Sequence, residues 1–523
     1  MKKTTACILT FLTHTMLYAN NMTIELKKDD FVQGKLTQLA EQPLSLSIIF
    51  QDRSTRLLAE NVFGEQGFMF KSEHNGTATF SISNYGQNVS GNDFKLEIEQ
   101  HIPVSAQIAK PKTIENQQLA ELSVKIAKNP EKQTAFIDNF WDKAKQAGTP
   151  LIEPLDEQQS RVTFLWRGAK QNVRIWGGVS TDHDFMERFG ETDLWYKSYV
   201  VPNDTLIEYR LAPDIPTLPM DEYTQRRALL STAQADPLNK TPYFEKIGQN
   251  LQNTDKFNYY SLVKLAKAPT PSYLLEDSNI TKGTMQELVF DSTKLGNKRR
   301  LFAYLPANFN TENSYPILYL FDGVEYTERV PTKTILDNMI AQKVIPPTVA
   351  IFIENPSSES RRMELPANPI FTQILAEEIV PFAEKSIGVK AKERIISGSS
   401  YGGLSSAYTV LNYSHLFKKA LILSGSFWWN PKNTPSENSN YIAYEFASKE
   451  KLPVCFFISA GFYEGGRSNI LETSRHLKDV LLAKGYPVTY MEQSTSHGYL
   501  AWQGLISEGL KALLGKGACQ HSD

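Results

Sequence analysis

A serine placed between two glycines is the first feature that suggests chemistry. Residues 398–402 read Gly-Ser-Ser-Tyr-Gly, a G-x-S-x-G pattern centred on Ser400. An apolar run precedes it and a stretch of small residues follows, which predicts a strand, a sharp turn and a helix. Larger side chains two residues from a nucleophile on so strained a turn would clash with the strand or the helix. The pattern therefore predicts that Ser400 is a nucleophile, although a plain Gly/Ser turn has the same letters.

In an active site of this kind, the acid and the base follow the serine in chain order. His497 stands in a polar loop between the last predicted strand and the last predicted helix, so we predict that it takes the Ser400 proton. Glu464 stands in a loop after the strand predicted at 454–460, whereas Asp479 falls within a predicted helix. Glu464 is therefore the predicted acid that orients the imidazole, and a surface carboxylate is the alternative.

Backbone amides must also stabilise the oxyanion that forms when an ester carbonyl is attacked. We predict that the Tyr401 amide, directly after the nucleophile, is one donor. The loop after the strand predicted at 315–320 offers the second donor through Gly323 or Val324. A plain turn at this loop is the alternative.

Two pairs of side chains are predicted to bind the substrate, because they lie on the same sheet edge as the catalytic residues. Arg361 and Arg362 follow one predicted strand, and Trp428 and Trp429 follow another. Guanidinium groups beside indole rings could hold an aromatic anion by charge and stacking. A solvated basic loop and a packed aromatic plug remain the alternative.

The elements that must position these residues belong to an α/β fold. From residue 283 strands alternate with helices, which predicts an α/β-hydrolase catalytic domain over 283–518. Period-two alternation predicts a small accessory β-sandwich at 22–105, and aromatic-rich strands predict an immunoglobulin-like β-sandwich at 149–215. A helical linker at 106–148 and a connecting segment at 216–282 complete the predicted organisation.

The composition excludes several classes of partner. The chain has 523 residues and a formal net charge of -2, which gives no electrostatic basis for binding nucleic acid. After the N-terminal stretch, no apolar run is long enough to span a membrane. The eight histidines lack the paired spacing of metal ligands, so we predict neither a metal nor another cofactor.

The N-terminus predicts export. Lys2 and Lys3 precede an apolar run at 6–17, and Ala19 is a small residue at which cleavage could occur. This arrangement is typical of a secretory signal peptide over residues 1–19, with a buried N-terminal helix as the alternative. We therefore expect a periplasmic protein. In that oxidising compartment Cys455 and Cys519 could form a disulfide.

Seven separate stretches, taken in order, resemble the enterochelin (enterobactin) esterase family, which comprises ferric-siderophore esterases of the α/β-hydrolase class. The resemblance runs from about residue 139 to the C-terminus. It rests on GTPLIE at 148–153, VTFLWR at 162–167, DPLN at 236–239, LFDG at 320–323, RRMELPAN at 361–368, GSSYGGL at 398–404 and SGSFWW at 424–429.

The resemblance implies a serine esterase that hydrolyses the ester bonds of a catecholate siderophore through an acyl-enzyme intermediate and so releases its iron. It implies that Ser400 is the nucleophile and His497 the base, that residues 361–429 help bind the catecholates, and that the second sandwich helps cover the site. The chain departs from the family where Gly498, rather than aspartate, follows the histidine. The first sandwich and the leader are likewise not typical of the cytoplasmic members.

Two other functions stay open at this stage. A feruloyl or acetyl carbohydrate esterase of the same fold would use the same catalytic residues. A non-catalytic protein that binds a surface partner would use the sandwiches instead.

Overall fold

The computed structural model describes residues 15–17, 22–39, 41–107, 113–180, 182–435, 440–466 and 469–519. It divides into two compact units, Met1–Thr113 and Ile114–Asp523.

The first unit is a β-sandwich whose two antiparallel sheets have the orders β1-β9-β3-β6 and β2-β7-β4-β5, with β8 paired to β7. Alternate residues of facing strands, such as Val32, Leu36, Ile48 and Phe80, are buried between the sheets and form its core. The strands are β1 (Thr15–Leu17), β2 (Thr23–Leu26), β3 (Phe31–Gln38), β4 (Leu44–Ile49), β5 (Thr55–Val62), β6 (Glu65–Lys71), β7 (Gly76–Asn84), β8 (Gln87–Asn88) and β9 (Phe94–Ile102).

Most of the predicted signal peptide lies outside the described residues. The exception is β1, which pairs antiparallel with β9. Cleavage after Ala19 would remove β1 and leave β9 as the edge of that sheet.

The second unit begins with two helices, α1 (Gln117–Lys128) and α2 (Gln133–Ala147). Their apolar stripe, which includes Leu119, Leu122 and Phe140, packs with Leu151 and Leu165 of the following sandwich. The segment predicted as a linker is therefore part of the folded unit from residue 114, because the apolar face of each helix is covered by the sheet.

The second sandwich has sheets of order β10-β11-β14-β13 and β12-β15-β17-β16. It extends beyond the predicted boundary at 215, because β16 and β17 come from the predicted connecting segment and β17 pairs with β15. The elements are β10 (Leu151–Pro154), β11 (Gln159–Arg167), β12 (Val173–Gly177), β13 (Glu187–Arg188), β14 (Leu194–Pro202), β15 (Leu206–Pro213), α3 (Glu222–Arg227), β16 (Pro242–Tyr243) and β17 (Tyr260–Lys264).

The hydrolase domain is built on a sheet of eight strands in the order β18-β19-β21-β20-β22-β23-β24-β25. The strands are β18 (Thr284–Ser292), β19 (Asn297–Leu305), β20 (Ser314–Leu320), β21 (Val349–Ile353), β22 (Lys390–Ser399), β23 (Lys419–Leu423), β24 (Cys455–Gly461) and β25 (Val488–Gln493). From β21 to β25 neighbouring strands run parallel, and their near-continuous apolar sequences reflect burial on both faces.

Helices cover both faces of this sheet over two apolar core clusters. They are α4 (Glu325–Glu328), α5 (Thr332–Ala341), α6 (Ser358–Glu364), α7 (Pro369–Ile374), α8 (Val380–Ile387), α9 (Tyr401–Asn412), α10 (Tyr441–Ser448), α11 (Ile470–Ala483) and α12 (Tyr499–Leu514). A π-helical turn joins α7 to α8. In the described part of the chain, no helix has the length and apolar character needed to cross a bilayer.

A disulfide joins Cys455, at the start of β24, to Cys519 beyond α12, with their Cα atoms 5.7 Å apart. The two cysteines that the sequence left as a candidate pair are thus bonded, and the bond ties the end of the described chain to the central sheet.

Candidate active site

The G-x-S-x-G pattern forms the sharp turn between β22 and α9. Ser400 has a φ of 57° and a ψ of -120°, a conformation that costs a non-glycine residue energy and is typical of functional turns. A Cβ on Gly398 would lie 2.6 Å from the Gly402 carbonyl carbon, and one on Gly403 would lie 2.9 Å from the Gly425 Cα. The glycines are therefore required by close backbone packing around the serine.

His497 lies in the loop between β25 and α12, and its Nδ1 is 2.6 Å from Glu464 Oε1. Glu464 is 2% exposed, and its other oxygen accepts the Gly461 N–H at 2.6 Å. A carboxylate that accepts the Nδ1–H sets the imidazole tautomer and leaves Nε2 free to accept a proton. The structure thus joins two residues that the sequence predicted to work together, although 33 positions separate them.

The imidazole of His497 also contacts the ring of Trp502. The ring of Trp502 packs edge-on against that of His497, with the centroids 5.0 Å apart. The indole N–H of Trp502 donates to Ser424 Oγ at 3.0 Å, which ties the first turn of α12 to the loop after β23. Glu464 and Trp502, which both contact the imidazole, belong to the hydrolase domain.

Ser400, Glu464 and His497 line one cavity of about 490 Å³. Part of its wall comes from the second sandwich, through Trp176, Gly177, Gly178, Ser180, His183, Glu208, Glu245 and Tyr260. Residues of the hydrolase domain complete the wall, namely Arg329, Arg361, Tyr463, Ser496, Gly498, Tyr499 and Trp502. The three residues predicted as a triad therefore open onto a space large enough for a small-molecule ester.

The loop after β20 was predicted to supply one oxyanion donor, through the amide of either Gly323 or Val324. The Gly323 N–H donates to the Ile353 carbonyl at 2.8 Å, so this hydrogen bond argues against the Gly323 alternative. A Cβ on Gly323 would lie 2.7 Å from the Phe352 carbonyl carbon, which shows that the glycine serves close packing against β21. Val324 is the remaining candidate in this loop.

Two groups next to Ser400 bear on the rest of the oxyanion hole. Tyr401 is the first residue of α9, so its N–H has no acceptor within the helix. Ser426 Oγ lies 3.2 Å from Ser400 Oγ. Sequence reasoning missed Ser426, which stands beside the tryptophans that drew attention to this loop.

The four predicted binding residues have different environments, and among them Arg361 alone lines the cavity. Arg361 makes a two-pronged ion pair with the buried Asp322, with Nε 2.6 Å from Oδ1 and Nη2 2.9 Å from Oδ2. Burial disfavours the arginine charge, but the hydrogen bonds and charge of Asp322 outweigh it and raise the Arg361 pKa. Arg361 is thus a fixed cation at the cavity wall.

The other three predicted binding residues lie elsewhere. Arg362 is exposed and pairs with Glu359 on the surface of α6, because successive side chains of a helix point about 100° apart. Trp428 is 41% exposed and packs against the Tyr401 ring, whereas Trp429 is half-buried against Tyr441. None of the three lines the cavity, so their binding role stays a prediction.

Several known proteins that are similar to this chain are esterases. The esterase family model matches residues 292–513, and the model of the enterochelin esterase N-terminal domain matches residues 161–273. The iron(III) enterobactin esterase of Dickeya dadantii is 26% identical over 416 residues, which cover 72% of this chain and 92% of that protein. The chain resembles the enterochelin esterase family across both of these domains. It is a carboxylic ester hydrolase, as predicted.

A second curated relative and a solved structure are also similar to this chain over most of their length. The iron(III) salmochelin esterase of Escherichia coli is 23% identical over 402 residues, covering 73% of this chain and 94% of that protein. The crystal structure of the ferric enterobactin esterase of Salmonella typhimurium superposes with a TM-score of 0.56 at 23% identity, covering 72% of this chain and 98% of the other. The predicted fold class, an α/β-hydrolase domain preceded by sheet-rich domains, is confirmed.

Several cavity residues of this esterase could not be found by motif. Arg329 pairs with Glu245 of the second sandwich, and its guanidinium lies 5.1 Å from the centre of the Tyr499 ring. Burial, together with two nearby arginines, lowers the pKa of His183 to about 4, so this imidazole is uncharged at neutral pH. Burial raises the pKa of Glu208 to about 8. These residues lie in strands and loops without a recognisable pattern, so nothing in the sequence linked them to the site.

Proposed function

We propose that this esterase hydrolyses the ester bonds of a catecholate siderophore of the enterobactin type. Relatives that match most of their length to this chain are named for iron(III) enterobactin and iron(III) salmochelin. The observation that carries the proposal is the hydrogen bond of His497 to the buried Glu464, a pair that opens onto the same cavity as the strained Ser400.

The cavity suits an anionic, aromatic substrate. Arg329 and Arg361 supply cations, while Trp176, Tyr260 and Tyr499 supply aromatic rings. A ferric catecholate complex carries negative charge on aromatic rings, so charge and stacking would both contribute to binding.

The proposed reaction begins when Ser400 Oγ bonds to the ester carbonyl carbon as its proton passes to His497 Nε2. The Tyr401 and Val324 amides would stabilise the resulting oxyanion. Its collapse breaks the acyl–oxygen bond, and the imidazolium returns the proton to the departing hydroxyl. Water, deprotonated by the same imidazole, then attacks the acyl-enzyme and releases a carboxylic acid and free Ser400. Glu464 stabilises the imidazolium in both steps.

The test is turnover of ferric enterobactin by the purified full chain, with the linear products separated by chromatography. We expect ring-opened and shorter fragments, and we expect a fluorophosphonate probe to label Ser400. Absence of fragments from protein that the probe labels would contradict the siderophore substrate. Absence of labelling would contradict the serine mechanism itself.

We infer a periplasmic location from residues 1–19 and from the Cys455–Cys519 disulfide, because disulfides persist in oxidising compartments. Osmotic-shock fractionation of cells that express the full chain, followed by N-terminal sequencing, tests this. We expect the shortened chain in the shock fluid. A chain with its N-terminus intact in the cytoplasmic fraction would contradict it.

A further inference from the structure

One strand of the second sandwich and the residue before it contact the two loops that carry His497 and Glu464. At the start of β15 the Leu206 N–H donates to the Ser494 carbonyl of the histidine loop at 3.0 Å. Just before it, Thr205 Oγ1 lies 2.7 Å from the hydroxyl of Tyr463, which is next to the acid. The sandwich is therefore attached to the two loops whose relative position sets the His497–Glu464 pair.

Glu208, two residues further along β15, reaches closer to the histidine. It is 6% exposed, and its Oε2 accepts a hydrogen bond from Ser496 Oγ at 3.4 Å. Its Oε1 lies so close to Gly498 that a Cβ there would be 1.8 Å from it. The Glu208 carboxyl group thus touches the residues on either side of His497.

Gly498 has a φ of -172°, an extended conformation open to any residue. Glycine is therefore needed at this position because of the carboxyl group opposite rather than because of the backbone. The chain departs from the family pattern at this position, and the space that a side chain would fill is occupied by Glu208.

We propose that Glu208 is a positioning residue through which the second sandwich holds His497 in place for catalysis. The proposal rests on the proposed serine esterase mechanism and extends it across the domain boundary. It makes the sandwich part of the catalytic apparatus, since loss of the Glu208 carboxyl would free the histidine loop on both sides of the imidazole.

The surroundings of Glu208 indicate in which form it acts. The titratable or charged groups that face it are Tyr243, Glu245, Tyr260, Arg329, Glu464 and His497. Burial raises the Glu208 pKa to about 8, the negative charges of Glu245 and Glu464 add to this, and the Ser496 hydroxyl opposes it. At neutral pH Glu208 is therefore mainly uncharged, and its ionisation in alkali would place a second negative charge near Glu464.

The experiment compares kcat and KM for p-nitrophenyl acetate between pH 6 and pH 10. In the wild type we expect kcat to fall in alkali with an apparent pKa near 8. Glu208→Gln, which mimics the uncharged acid, should keep the neutral kcat within about threefold and should lose this alkaline decline. Glu208→Ala should lower kcat at pH 7 by about tenfold with little change in KM. Glu187→Gln, on β13 of the same sandwich, is the matched control and should behave as the wild type.

Retention of the alkaline decline in Glu208→Gln, or an unchanged kcat in Glu208→Ala, would overturn the proposal. Wild type that hydrolyses neither p-nitrophenyl acetate nor ferric enterobactin would instead overturn the proposed function. Folding of each variant is checked by its thermal unfolding temperature.

Unfolding also tests Glu208 without any substrate. Because its pKa is higher in the folded state than in the unfolded state, folded wild type retains a proton that the unfolded chain releases as pH rises above about 4.5. Stability from this group is therefore complete below pH 4.5 and is lost progressively up to about pH 8. As pH rises from 5 to 8, the unfolding temperature of Glu208→Gln should therefore increase relative to that of wild type. A pH-independent difference would contradict a buried, uncharged Glu208.

Discussion

The two walls of the cavity each place a buried glutamate near His497, and the two glutamates have different partners. On the hydrolase wall Glu464, 2% exposed, accepts hydrogen bonds from the imidazole and from the Gly461 N–H. On the sandwich wall Glu208, 6% exposed, meets a serine hydroxyl at 3.4 Å and two other carboxylates nearby. Similar burial thus leads to different chemistry, because the partners decide whether a negative charge is compensated.

This contrast predicts that the hydrolase wall performs the bond-breaking step and that the sandwich wall adjusts it. Substitutions of the predicted triad on the first wall should nearly abolish turnover, and substitutions on the second should reduce it.

The largest effect is expected for Ser400→Ala. Removal of the nucleophile should lower kcat for ferric enterobactin by about 10⁴-fold or more, because triad members act as a unit. The neighbouring Ser399→Ala is the control and should stay within a few-fold of wild type. If Ser400→Ala retained a tenth of the wild-type turnover, the chemistry would have to lie elsewhere in the cavity.

The next effect is expected for Glu464→Gln, which keeps the shape but removes the charge. An amide at this position can stabilise the wrong imidazole tautomer, so kcat should fall by about 10³-fold with KM little changed. Asp479→Asn, on the exposed side of α11, should have no effect. Equal activity of the two variants would show that another acid supports His497.

A smaller effect is expected from the fixed cation of the hydrolase wall, Arg361. Arg361→Met should raise KM for ferric enterobactin about tenfold, a loss of about 1.4 kcal/mol, through loss of the fixed charge in the cavity. Arg362→Met is the matched control, because this neighbour is exposed and pairs with Glu359. Since Asp322 would lose its charged partner and keep the Asn355 hydrogen bond, thermal unfolding must show that Arg361→Met remains folded under the assay conditions.

Equal KM values for Arg361→Met and Arg362→Met would mean that the cavity cation does not contact the siderophore. A neutral aryl ester provides a further check, because its KM should change far less than that of the anionic complex.

The smallest effect is expected where the two walls touch. Gly498→Ala places a methyl group against the Glu208 carboxyl and should lower kcat about threefold to tenfold. In a Glu208→Ala background the methyl group has room, so the added loss should nearly vanish. Strictly additive losses in the double variant would show that Glu208 and the histidine loop are not coupled.

The hydrolase wall was largely predictable because its chemistry demands particular residues at particular places in the chain. A nucleophile on a tight turn requires glycines at fixed spacing, and parallel strands bring Glu464 and His497 to the same sheet edge in chain order. The resemblance added the substrate class, which no local pattern carries. Individual hydrogen bonds could not be predicted from the sequence, such as the one that the Gly323 N–H donates to the Ile353 carbonyl.

The sandwich wall could not be predicted, because no local motif fixes the residues that form it. Glu208 lies in an ordinary strand, and β17 is a five-residue strand separated from its partner by a long segment. One feature of the hydrolase wall was equally unpredictable. Arg361 and Arg362 are neighbours in sequence, and the phase of α6 decided which of them lines the cavity. None of these outcomes leaves a pattern in the chain, since each depends on residues far away in sequence.

The sequence by itself therefore determined the class of fold, the nucleophile motif and the order of the candidate acid and base. Those features arise from local backbone requirements and from the periodicity of strands and helices. Only the tertiary structure decided what stands opposite them, including Glu208 against Gly498 and the ion pair of Arg361 with Asp322. Close packing within and between domains selects such contacts by shape and charge, and neither is set by neighbours along the chain.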